Sequence, residues 1–106
     1  MTRAVVIRPL ARRDIRESFD WIEACISTES ALNWEVGIDA RIESLLHTPE
    51  VWPEADESYG LDFKLQMILF RRGRQVHRIL YEIEGEKVIV HRVRHAAQDT
   101  LTADDF

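Results

Sequence analysis

Six arginines, Arg71, Arg72, Arg74, Arg78, Arg92 and Arg94, fall between Leu65 and His95 together with three of the chain's four histidines. Arginine stays charged and meets phosphate or carboxylate through a two-pronged fork, while histidine exchanges protons near neutral pH. Cations around a scissile phosphate plus a proton carrier are what an RNA-cleaving site requires. The same cations without a carrier make a dock for an acidic or amphipathic peptide. His95, closing the last predicted strand, is the candidate carrier, whereas His91, between Ile89 and Val93, reads as a core histidine. The chain has no Gly-rich phosphate loop, no zinc spacing of Cys and His, and no nucleophile elbow. No cofactor and no metal is therefore expected. Asp14 with Glu17, and Asp20 with Glu23, read as carboxylates solvating the polar face of a helix.

The length, 106 residues, suits one domain spanning 1–106. A hydrophobic fraction of 45% and a charged fraction of 31% are those of a globular protein. The single cysteine, Cys25, excludes an intramolecular disulfide and reads as a small core residue. No stretch approaches the ~20 apolar residues of a membrane helix, and none resembles a signal peptide, so a cytoplasmic protein is expected. The net charge of −5 is unevenly spread: residues 1–63 carry −7, residues 64–95 carry +5, and residues 96–106 carry −3. That split favours an anionic ligand or an acidic partner segment on the basic part.

These basic residues need elements to position them. Val5-Val6-Ile7 is a short strand, and Pro9 then suits the first turn of a helix. From Leu10 to Ile26 the spacing of Ile15, Phe19, Ile22 and Ile26 predicts a helix with one apolar stripe. Ser27 to Ser30 supplies capping hydroxyls for a second helix, from about Glu29 to Leu46, closed by Thr48-Pro49. Gly37 within it costs about 1 kcal/mol against alanine unless a close approach requires it. The segment Glu50 to Asp62 is aperiodic and acidic, and reads as an exposed loop. Three strands follow, Lys64 to Phe70, Val76 to Ile83 and Lys87 to His95, joined by turns at Gly73 and Gly85. Alternation places Ile79, Tyr81, Ile83, Ile89 and Val93 inward and Arg78, Val88, Val90, Arg92 and Arg94 outward. The predicted fold is α+β: a short N-terminal strand and an antiparallel two-helix hairpin on one face of a mostly antiparallel sheet, completed by three C-terminal strands.

At this point the chain resembles the RelE/ParE superfamily of type II toxin–antitoxin toxins. The resemblance rests on VIRPLARRDIRES at the start, SLLHTP closing the second helix, VHRILYEI at 76–83 and EKVIVHRVRHAAQD at 86–99. It implies a plasmid-stabilisation toxin held by a cognate antitoxin in a hetero-oligomer. The target is DNA gyrase for ParE-like members and ribosome-bound mRNA for RelE-like nucleases; an inactive antitoxin-binding homologue is a third reading. If the chain is a nuclease, the resemblance assigns Arg78, His95 and Arg71 to catalysis. Otherwise Arg72, Arg74, Arg78, Arg92 and Arg94 bind the target or the antitoxin. Gln98 stands where many members carry arginine, the tail LTADDF lacks the nucleases' tyrosine, and the strand from Lys64 lacks their lysine-rich pattern. These departures favour the ParE-like side.

Overall fold

The computed structural model describes residues 3–106. Strand β1 (Ala4–Ile7) leads into helix α1 (Pro9–Cys25), which starts on Pro9 as its missing N–H allows. Helix α2 (Thr28–Glu43) follows after a short break. The Ser27 hydroxyl caps it by accepting the Ser30 N–H at 3.0 Å. Strands β2 (Gln66–Arg72), β3 (Gln75–Glu84) and β4 (Lys87–His95) complete the fold. The sheet order is β1-β4-β3-β2, antiparallel except for the pairing of β1 with β4. This is the predicted α+β arrangement.

The main core lies between the helices and the sheet, around Ala11, Ile22, Trp34, Ile38, Ile68, Ile79, Tyr81, Val88, Val90 and Val93. Gly37 is required by a close approach: a Cβ there would lie 2.4 Å from Cζ of Phe70 on β2.

Three expectations are corrected. The register slips between Leu80 and Tyr81, which face Arg92 and Val90, so His91 is an extra residue in β4. A bulge of this kind reverses alternation beyond it. Val88 and Val90 therefore join the helix-side core, while Ile89 pairs with Glu82 on the other face. His91 likewise leaves the helix side and stacks on Phe63 at 4.9 Å. Second, the acidic segment after Pro49 is packed against the sheet. Ala55, Leu61, Phe63 and Leu65 join Met67, Leu80, Leu101 and Phe106 in a smaller core on the face away from the helices. Its backbone is tied down by Ala55 N–H to Leu65 C=O (2.8 Å), Met67 N–H to Pro53 C=O (2.9 Å) and the Gln66 side-chain Nε2 to Trp52 C=O (2.8 Å). Third, Ile26 and Cys25 are exposed, because the buried side of α1 runs through Ala11, Asp14 and Ile22.

Candidate functional site

The β2–β3 hairpin closes with Arg72 opposite Gln75, leaving Gly73-Arg74 as a two-residue turn. Gly73 has φ +59° and Arg74 does not enter positive φ, the signature of the type II′ turn that matches strand twist. The turn projects Arg71, Arg72 and Arg74 from one end of the sheet, all exposed. Among the described residues none of the three forms a salt bridge. All three are cations at the surface of an acidic protein.

The other three arginines share the face away from the helices, as alternation predicts, with Arg78 directly opposite Arg94 and Leu80 opposite Arg92. Two of them are already engaged. Arg78 donates from Nη2 to Oε1 of Glu57 at 2.5 Å, and Glu57 is only 5% exposed. Burial alone would push the Glu57 carboxyl up. Hydrogen bonds from Arg78 and from the backbone N–H groups of Glu57 and Leu101 outweigh it and hold the group below the usual carboxylate range. Arg92 donates from Nε and Nη2 to the two Asp14 oxygens, at 2.7 and 2.9 Å. The cause is local: β1 ends at Ile7 opposite Val90, so beyond that point the edge of β4 away from β3 has no strand beside it. Asp14 on α1 fills the gap, also accepting the Val93 N–H at 3.0 Å. Arg94 reaches the Asp99 carbonyl at 3.5 Å, and its Nε is buried without an acceptor among the described residues.

The histidines are engaged too. His95 accepts the Ala97 N–H on Nδ1 (3.1 Å) and donates from Nε2 to Gln75 Oε1 (3.0 Å), so both ring nitrogens are occupied. Its own N–H is taken by the Gln98 side chain at 2.8 Å. His77 lies 5.2 Å from His95, edge to face, and accepts the Trp34 indole N–H at 3.3 Å. Burial, then the neighbouring His95, pushes His77 down to about 4, so its ring is neutral at physiological pH. His91 pairs with Glu82 at 2.7 Å.

A groove of about 680 Å³ joins these parts, running between α1 and the ends of β3 and β4, with Arg13, Trp21, Arg74, His77, Arg94 and His95 among its walls. Trp21 is 52% exposed at its rim. The arrangement offers cations and an aromatic surface for binding. Its histidines are bonded inside the protein, and Arg78, which lies outside the groove, is paired with Glu57. Among the described residues no cluster of three or more His, Cys, Asp or Glu could hold a metal ion.

Asp14 and Glu57 organise this end of the molecule, and sequence reasoning missed both. Asp14 lies three residues after the buried Ala11 and eight before the buried Ile22, so helical spacing could have placed it at the margin of the apolar side. Glu57 sits in an aperiodic segment and carries no such signal. Trp21, a large aromatic among charged neighbours on α1, did carry one.

A family model described as "ParE toxin of type II toxin-antitoxin system, parDE" matches residues 5–100. No curated protein matches. Among solved structures, the chain is similar to one described as the chromosomal ParDE toxin–antitoxin system from P. aeruginosa, with a TM-score of 0.73 and 15% identity over 88% of this chain and 95% of that one. It is also similar to a double arginine-to-alanine mutant of E. coli toxin RelE in the free state, with a TM-score of 0.56 and 16% identity over 92% of this chain and 86% of that one. At such identities the likeness to solved structures concerns the fold. The family match covers nearly the whole chain, and on it the protein belongs to the ParE toxin family of type II toxin–antitoxin systems.

Proposed function

We propose that this toxin acts by binding DNA gyrase, without cutting nucleic acid, and that a cognate antitoxin neutralises it in a hetero-oligomeric complex. The observation that carries the reading is the internal engagement of the nuclease candidates. Arg78 is bound to Glu57, and His95 has both ring nitrogens occupied. A general acid or base needs a nitrogen free to meet the substrate, and a phosphate clamp needs an unneutralised guanidinium. Arg71, Arg72 and Arg74 stand exposed at the hairpin tip, and they are the residues proposed to meet the target. The likeness to the P. aeruginosa ParDE system supports the antitoxin as partner. Purified protein should inhibit gyrase supercoiling at micromolar concentration; absence of inhibition sinks the proposal.

One feature favours the competing reading, ribosome-dependent mRNA cleavage with Arg71, Arg78 and His95 as the catalytic set. Arg78 and Arg94 face each other directly, one register step from the His77–His95 pair. Primer extension on translated mRNA separates the two readings. Intact transcripts are expected, and codon-spaced cuts lost in Arg78→Ala would establish the nuclease.

A further inference from the structure

The face of the sheet away from the helices is covered in part by residues 101–106, which lie beyond the span matched by the family model. This short segment carries one turn of 3-10 helix, Ala103–Asp105. Its first residue, Leu101, is 7% exposed and packs with Ala55, Leu65 and Leu80. Its last, Phe106, meets Phe63 and His91 edge to face, at 6.5 and 6.0 Å. Between them the Asp105 carbonyl accepts from Arg92 Nη1 at 2.7 Å. Glu57 joins the segment to the sheet, accepting the Leu101 N–H on one oxygen and Arg78 on the other.

The occupant shows what the surface accepts. Beneath it lie Leu80, Phe63 and His91, an apolar strip with Arg92 and Arg94 at its edge and with Glu57 and Glu82 paired to Arg78 and His91. On it sit an aliphatic anchor, an aromatic anchor and, between them, Asp105, whose carboxylate caps Thr102 and lies in the field of Arg92 and Arg94. We propose that residues 101–106 are a built-in competitor, filling in cis a strip that takes an acidic peptide with one aliphatic and one aromatic residue in trans. The partner is thus a chain presenting such a peptide, and the strip opens to it when the segment lifts. A segment with one helical turn and two apolar anchors belongs to the low-stability end of local unfolding. The proposal does not depend on which target the toxin meets.

The test is fluorescence anisotropy with labelled acetyl-Leu-Thr-Ala-Asp-Asp-Phe-amide. A chain ending at Thr100 should bind it about tenfold or more tighter than the intact chain. A control peptide with both aspartates changed to asparagine and phenylalanine to alanine should bind the shortened chain about tenfold more weakly. Equal affinity for the two chains, or equal affinity for the two peptides, overturns the proposal. If the shortened chain loses its circular dichroism, a full-length Leu101→Ser/Phe106→Ser variant takes its place in the same comparison. Hydrogen exchange on the intact protein gives an independent reading. The Leu101 amide should exchange about a hundredfold or more faster than the slowest β3 amides, as expected of local opening. Exchange of Leu101 at the rate of global unfolding overturns the competitor.

Discussion

Two side chains do much to keep the basic end of the sheet in shape. Asp14 meets both prongs of Arg92 and one backbone N–H, with both partners nearly excluded from water. Removing one member of a buried pair leaves an uncompensated charge, at a cost of about 3 kcal/mol. Asp14→Asn should therefore lower stability by roughly that amount in urea unfolding, with the cost shared between a stranded guanidinium and an open strand edge. His77 offers a second check through pH. Its ring titrates at about 4 when folded, against 6.5 ordinarily. Between those values the unfolded chain binds more protons, so stability falls as pH drops through this window and is fully present above it. From pH 7 to pH 5 the loss from this group should be about 2 kcal/mol. His77→Gln, which keeps an acceptor for the Trp34 indole, should flatten that dependence in urea titrations at the two pH values.

At the scale of elements, the helix pair rests on β2 through an absence. Gly37 leaves room for the Phe70 ring, and a methyl group there would overlap it. Gly37→Ala gains intrinsic helix propensity of about 1 kcal/mol and should still destabilise, because a packed aromatic must move. Combining it with Phe70→Leu should recover most of the loss, a non-additivity that thermal melts of the four proteins would reveal. The elements themselves were legible in the sequence: Pro9, Ser27, Gly73 and Gly85 mark helix starts and hairpin turns by local chemistry. Which face each β4 residue takes was not. A bulge is invisible to alternation, and the inserted His91 reversed the expected placement of Val88, Ile89 and Val90. The partners of Arg78 and Arg92 were hidden for a different reason. Glu57 and Asp14 lie 21 and 78 residues away along the chain, and no local pattern reports contacts of that range.

Over the whole molecule, cationic residues are concentrated in the sheet of an acidic chain, and the fold treats two sets of them differently. Arg78 and Arg92 are matched inside by carboxylates. Arg71, Arg72 and Arg74 remain at the hairpin tip, where a charged partner can reach them without desolvating a buried pair. On this account toxicity follows the tip, and the nuclease-like residues behind it serve the architecture. The direct test is a gyrase supercoiling titration of intact protein, the Arg71→Ala/Arg72→Ala/Arg74→Ala variant and His95→Gln, each with matched circular dichroism. The hairpin variant should inhibit about tenfold or more weakly than intact protein, while His95→Gln should stay within about twofold. Full inhibition by the hairpin variant, or its loss in His95→Gln, would contradict the account.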